Sequence, residues 1–465
     1  MASMSDQARP DQVRPDQLRV IIQMHTTPAL AAAAFGAIEA APALEITDPS
    51  GVELDTTYSP VPVPPKPSGE GAAESGIGMA ASFTATEPPT HVVRAAVQVE
   101  AWSDFLERAN NDDNVVAVFG DPGIAAFESR TVCPTGPVGT DLDVERLLLV
   151  EQLHRRGMNG AGVPVVIVDS GVSLPYLRRR GKTPEFSAEL SWGPVTGQPL
   201  GDMPVDHGTM CAYDACIAAP ACTLIDHALL TSPTSGGSVM DGYLSDALKS
   251  YGVLLSYMSR ASEPGFGAPL PRTLVVNNSW GMFHPSWDFP VGDPQNYSDN
   301  LDHPFNVIVE SLEAAGADIL FAAGNCGPEC ADSRCQSATN AGIYGANSSS
   351  VVTSVAGVVI SNDRIGYSTK GPGRLEDRKP DIASYTHFAG SGVFEEDAGT
   401  SAATPVAAGV VAAIRRRYPA NVLSPRQLRD LLRDTAEPQG DADFDYEYGY
   451  GIINVQNLLD ELENI

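Results

Sequence analysis

The sequence predicts an α/β chain in two parts: a small α+β unit, then a larger parallel sheet with helices on both faces. From about residue 140, short runs that are apolar at every position alternate with helical stretches. Such runs are what strands covered on both faces require. Before residue 130 the order is strand–helix–strand twice over, that of a split βαβ, ferredoxin-like unit. Residues 59–82, rich in Pro, Gly, Ser and Ala, interrupt it, and no packed element is expected there. A length of 465 residues accommodates two domains, drawn at 1–130 and 140–465.

The elements follow in order. In the first unit, residues 18–24 alternate and read as a strand, and the Ala-rich residues 28–41 behind Pro28 as a helix. Residues 52–58 and 91–99 read as strands, 101–110 as a helix, and 115–119 as a strand closed by Gly120, Asp121 and Pro122. The second unit opens on an amphipathic helix, 144–156. Buried-type strands are expected at 163–168, 224–230, 273–278, 317–323 and 351–359. Helices at 209–219, 242–259, 306–315 and 404–418 separate or follow them. Alternation of this kind builds a parallel sheet, whose active sites form at the carboxyl ends of its strands.

Apolar residues make up 43% of the chain, enough for a sizeable core. Its 58 acidic residues outweigh 29 basic ones, a net charge of -29 that repels nucleic acid and anionic lipid. Neither is therefore an expected partner, and the acidic surface itself says nothing about catalysis. No apolar run is long enough to span a bilayer. The first 16 residues lack the basic tip and apolar core of a secretory signal, so the expected location is cytoplasmic. Seven cysteines leave their state open. Cys326, Cys330 and Cys335 could be ordinary thiols, include one local disulfide, or hold zinc, for which a fourth ligand is missing nearby.

Four residues sit where chemistry would be placed. Asp169 ends an apolar strand, where it is either a turn cap or an orienting carboxylate. His207 stands before a helix, with Gly208 behind it permitting close approach. Ser401 leads into a helix of small residues in Gly399-Thr400-Ser401-Ala402-Ala403-Thr404-Pro405, with Pro405 expected in the first turn. Asn325 follows a strand end, where its amide either caps the turn or donates to a developing oxyanion. Each alone has a plain structural reading. Their order, Asp then His then Ser, is one of three known chain orders of the catalytic triad.

Here the sequence resembles the subtilisin-like serine peptidases, or subtilases. The matching motifs are Val168-Asp169-Ser170-Gly171, His207-Gly208-Thr209, Asn278-Ser279-Trp280-Gly281, Ala322-Ala323-Gly324-Asn325 and the Ser401 motif, closed by Gly449-Tyr450-Gly451. The resemblance implies a subtilisin-like sheet and a serine endopeptidase acting on protein or peptide substrates through an acyl-enzyme. Asp169, His207 and Ser401 would form the triad and Asn325 would donate to the oxyanion. Ser279, Trp280, Gly281 and Gly324 would bind substrate, with Trp280 a candidate wall of a side-chain subsite. The first unit resembles the family's pro-domains, which assist folding and inhibit their own enzyme.

Departures from the pattern are Met210, Cys211, Ala212, Tyr213 and Asp214 after the histidine motif, and Cys326 after Asn325. No cofactor is required for the mechanism. Calcium, common in the family, would have Asp441, Asp443, Asp445 and Glu447 to bind, although a solvated acidic loop is the ordinary reading. Two other functions use the same residues: a transpeptidase or macrocyclase, with residues 251–272 and 283–304 as the candidate lid insertions, and a catalytically silent peptide-binding module.

Overall fold

The computed structural model describes residues 16–26, 51–67, 89–127, 135–231, 241–261, 273–339, 341–439 and 443–465. The expected helix over 28–41 lies outside them.

The larger unit is built on a seven-stranded, all-parallel sheet. Across it the strands run Ile382–Tyr385, Thr353–Val358, Ala317–Ala322, Leu274–Asn278, Pro164–Val168, Thr223–His227 and Glu185–Phe186. The two edge strands Ile382–Tyr385 and Glu185–Phe186 have no counterpart among the sequence expectations; both are short and carry polar residues. On one face pack the helices His207–Ala218 and Thr400–Arg415, buried along their whole length. Their crossing is close because Gly409 leaves no side chain: a Cβ there would lie 2.4 Å from the Ala215 carbonyl oxygen. On the other face lie Leu244–Arg260 and Pro304–Ala314, whose Leu248, Tyr251, Leu254, Phe305 and Ile308 join Val166, Val276 and Phe321 in a second core. The helix expected over 144–156 is two, Asp141–Leu147 and Val150–Arg155, broken at Leu149, whose φ of 48° is left-handed.

The first unit is a five-stranded antiparallel sheet. Its order, Val52–Leu54, Thr90–Gln98, Gln17–His25, Val115–Gly120, is that of a ferredoxin-like sheet. The second strand stops at Leu54, short of the expected residue 58. Residues 61–63, expected to be unpacked, form a strand instead: Val61 and Val63 are buried while Pro62 faces out. The proline is tolerated because this strand lies at the sheet edge.

Strand alternation decides what each face of this sheet covers. Val20, Ile22, Met24, Val93, Ala95 and Val97 face the unit's own helix, Trp102–Asn110, through Phe105 and Ala109. Ile21, Val92, Val61 and Phe119 face the larger unit and merge with its second core. Charged contacts ring this junction at the start of the Leu244–Arg260 helix. Asp121 accepts from the backbone and hydroxyl of Ser245 at 2.8 and 2.9 Å and pairs with Arg19 at 3.0 Å. Arg94 bridges Asp55 and Asp246 at 2.6 and 3.1 Å. Carboxylates at a helix start are favoured by its exposed N–H groups.

Candidate active site

The carboxyl ends of the central strands bring the expected residues together. Asp169 follows Pro164–Val168 and is wholly buried, its backbone held by His227 and Leu230. Its Oδ1 accepts from the Ser170 N–H at 2.7 Å and from His207 Nδ1 at 2.8 Å. His207 opens its helix, capped by Asp206 through its own backbone N–H. The next residue must be glycine: a Cβ on Gly208 would lie 2.5 Å from the Gly171 carbonyl oxygen.

Ser401 is the second residue of its helix rather than a residue before it, and Pro405 stands inside, a turn later than the sequence suggested. That shift has a chemical consequence. Pro405 lacks the N–H that would bond the Ser401 carbonyl four residues back. The orphaned oxygen accepts instead from Ser279 Oγ at 3.0 Å and from the Cys211 thiol at 3.5 Å. Cys211 also lies 3.7 Å from Asp169 Oδ2 and 3.8 Å from His207 Nδ1, so this buried thiol touches all three residues. Burial, then the Asp169 charge, pushes the thiol pKa well up, so it is neutral packing.

Asn325 is oriented by Thr400. Its Oδ1 accepts from the Thr400 N–H at 2.9 Å and hydroxyl at 3.1 Å, which turns Nδ2 the other way. That N–H2 donates, at 2.5 Å, to the carbonyl oxygen of Phe127, the last described residue of the N-terminal part. Phe127 donates its own N–H to the Ser279 carbonyl at 2.9 Å. Upstream of it, Gly123–Ala126 runs antiparallel to Trp280–Gly281 on one side and to Asp241–Tyr243 on the other. The chain's own segment therefore lies in the cleft as the middle strand of three.

The Phe127 ring lines a small cavity together with Met282, Ala323, Gly324, Tyr344, Asn347 and Thr369. A Cβ on Gly281 would stand 2.6 Å from the ring, so this glycine makes room for it; one on Gly324 would stand 2.8 Å from the Thr369 hydroxyl and only in ordinary contact with the ring. Gly399, at φ 82°, makes room for the Phe127 carbonyl: its Cβ would fall 2.4 Å from that oxygen. Trp280 corrects an expectation. Its backbone pairs with Ala126, but its ring is fully buried against Phe305 and Phe321 and walls no subsite.

Cys326 and Cys335 form a disulfide, and Cys330 is disulfide-bonded too. This resolves the open cysteine reading, without zinc. Cys211, Cys216 and Cys222 are buried thiols. Among the described residues, the group compact enough to hold a metal is Asp169, His207 and Cys211, inside the site itself. Of the acidic run suggested for calcium, Asp445 accepts from the N–H groups of Glu447 and Tyr448, and Glu447 pairs with Lys370; Asp441 lies outside the described residues. The 283–304 segment carries Phe289 onto Trp102 and Gln295 onto Gly120 of the first unit, and sets Phe283 against the Phe127 ring at 4.9 Å. Among the described residues no helix is long and apolar enough to cross a membrane.

Residues 160–451 match the model of the subtilase family, more than half of the chain. The chain belongs to the subtilase family. Similar proteins include serine protease AprX of Bacillus subtilis, 26% identical over 64% of this chain and 66% of that one. The thermostable alkaline protease of Halalkalibacterium halodurans is 26% identical over 68% and 73%, and subtilisin DY of Bacillus licheniformis 27% over 67% and 95%. The match thus spans about two thirds of AprX. Like these subtilases, the chain is a serine endopeptidase, a hydrolase of proteins.

Proposed function

We propose that Asp169, His207, Ser401 and Asn325 carry the chemistry of this subtilase, and that the first bond it cuts is its own, between Phe127 and Glu128. The observation that carries the reading is the Phe127 carbonyl oxygen on Asn325 Nδ2, with the preceding strand paired on both edges. Ser401 Oγ attacks the carbonyl carbon while His207 takes its proton, and Asp169 fixes the imidazole tautomer. Negative charge gathers on the oxygen beside Asn325 and the Ser401 N–H, which at a helix start has no intrahelical acceptor. His207 then protonates the leaving amine of Glu128, and water hydrolyses the acyl-enzyme.

The same contacts support three further readings. The N-terminal unit acts as an inhibitor, since Gly123 to Phe127 occupies the cleft any other substrate needs. The preferred substrate carries an aromatic residue before the cut, Ala at the two positions upstream, and an aliphatic residue next, as Ile124 is buried among Leu229 and Leu230. The disulfides favour an oxidising compartment over the cytoplasmic location expected from the N-terminus.

Intact-mass and terminal analysis of the purified protein tests the first bond. The parent should yield fragments ending at Phe127 and beginning at Glu128, and Ser401→Ala should stay whole. A first cut elsewhere, or cleavage persisting in Ser401→Ala, overturns the reading.

A further inference from the structure

Gly399 stands two residues before Ser401, at φ 82° and ψ 165°, a backbone that glycine alone adopts readily. No stiffer residue can replace it, because a Cβ would lie 2.4 Å from the Phe127 carbonyl oxygen and 2.9 Å from Asn325 Nδ2. Glycine is also the residue whose backbone loses most freedom on folding. The peptide that leads into the nucleophile must therefore be fixed from outside.

Two buried hydroxyls do this. Tyr367 Oη accepts the Gly399 N–H at 2.9 Å, and the Thr386 hydroxyl donates to the Gly399 carbonyl oxygen at 2.6 Å. The two hydroxyl oxygens lie 3.2 Å apart. Their roles follow by elimination, since an amide N–H only donates and a carbonyl only accepts. Thr386 commits its hydrogen to Gly399, so between the hydroxyls Tyr367 donates and Thr386 accepts. A closed ring of hydrogen bonds results: Gly399 N–H to tyrosine, tyrosine to threonine, threonine to Gly399 C=O. His387 Nδ1, 3.4 Å from the tyrosine oxygen, is a longer second contact. Burial raises the Tyr367 pKa, so the hydroxyl keeps its hydrogen.

Both hydroxyls stand on fixed backbone. Thr386 follows the edge strand Ile382–Tyr385, and its N–H is held by the Val358 carbonyl of the neighbouring strand at 2.9 Å. Its methyl fits where Gly357 has no side chain: a Cβ there would lie 2.9 Å from it. Tyr367 packs its ring with Val359 and Ile365, and its carbonyl accepts at 2.8 Å from the N–H of Gly327, two residues past Asn325. Beyond the ring, Asn325 takes up the Thr400 N–H and hydroxyl. Sheet, oxyanion donor and nucleophile are thus linked through Gly399.

We propose that Tyr367 and Thr386 are positioning residues: their hydroxyls clamp the Gly399 peptide so that Ser401 Oγ meets the substrate carbonyl carbon while its oxygen reaches Asn325. Neither touches the reacting atoms. Losing either hydroxyl lets the Gly399 peptide turn, and a misplaced nucleophile shows in kcat rather than in KM. Because the ring holds a single residue, losing the second hydroxyl adds little to losing the first.

The proposal rests on Ser401 being the nucleophile, and the test separates the two. The purified protein is labelled with a fluorophosphonate, and mass spectrometry locates the label. A label elsewhere than Ser401 in the parent overturns the nucleophile and the clamp with it. Turnover of a chromogenic peptide ending in Phe is then measured per labelled site. Tyr367→Phe and Thr386→Val keep the shape and remove a hydroxyl. Each should lower kcat and the labelling rate at least about tenfold, with KM within about threefold. Thr386→Ser, which keeps the hydroxyl, should stay within about threefold of the parent in both. The double variant should fall no more than about threefold below the poorer single one. With the label on Ser401, three results overturn the clamp alone: folded single variants as active as the parent, Thr386→Ser as poor as Thr386→Val, or a double variant whose losses multiply. If one single variant does not fold, the other decides.

Discussion

Replacing Asn325 separates the two things its amide does. Nδ2 donates to the carbonyl oxygen in the cleft, while Oδ1 accepts from the backbone and hydroxyl of Thr400, the residue before the serine. Asn325→Ala removes both. Loss of the donor should lower kcat roughly 10²–10³-fold with little change in KM, because the bond strengthens only as charge develops. Loss of the acceptor leaves a buried Thr400 N–H unpaired, which costs about 1–3 kcal/mol of stability. Asn325→Asp divides these effects, since a carboxylate still accepts from Thr400 but repels the developing oxyanion. We expect it to keep the stability that Ala loses and to be at least as poor a catalyst. Steady-state kinetics on a peptide ending in Phe measures the first effect. Urea unfolding in a Ser401→Ala background, where self-digestion cannot intrude, measures the second. Activity of Asn325→Ala within tenfold of the parent, or recovery of kcat in Asn325→Asp, would refute the oxyanion assignment.

Gly281→Val should close the pocket to aromatic side chains, because its Cβ alone would stand 2.6 Å from the Phe127 ring. The ratio of kcat/KM for Phe against Ala peptides should fall at least tenfold; an unchanged ratio would place specificity elsewhere. Stability against pH has two opposed contributions. His227 and His303 are lowered by burial to about 4, so the stability they confer is present above about 6.5 and falls with acidification to 4, by roughly 3 kcal/mol each. Asp226 is raised by burial to about 6, so its contribution is present below about 3.8 and is lost as pH rises through 6. Asp226→Asn should therefore make the Ser401→Ala protein lose about 2 kcal/mol more than its parent on going from pH 6 to 4, read by urea unfolding at each pH.

The grouping of the candidate site was legible because such chemistry needs fixed residue types beside fixed backbone turns. Asp169, His207, Asn325 and Ser401 each announce themselves through a glycine or a strand end next door. The central strands were legible for a different reason, since a run such as Val165 to Val168 has no polar position to face water. What escaped depended on partners distant in sequence. Nothing local to Val61–Val63 tells that Thr90–Gln98, distant in sequence, will pair with it, and Pro62 argues against a strand. The pairing of Cys326 with Cys335 could not be chosen from spacing alone. Its motif makes Trp280 a candidate subsite wall, but its ring is buried against Phe305 and Phe321 instead.

The strand Gly123–Ala126, held on both edges, sets a condition on every protein this enzyme attacks. A polypeptide taking this strand's place must lie extended from the position of Gly123 to that of Phe127, roughly 13 Å at the rise of a β-strand. It must also have its backbone N–H and C=O groups free to exchange partners. Residues in a helix or an interior strand meet neither requirement until they come loose. For a folded target, the rate of cutting therefore scales with the fraction of molecules that have locally opened, and that opening free energy outweighs the side-chain preference of the pocket. Two proteins with the same aromatic sequence would differ as hydrolysis victims by the mobility of the segment bearing it.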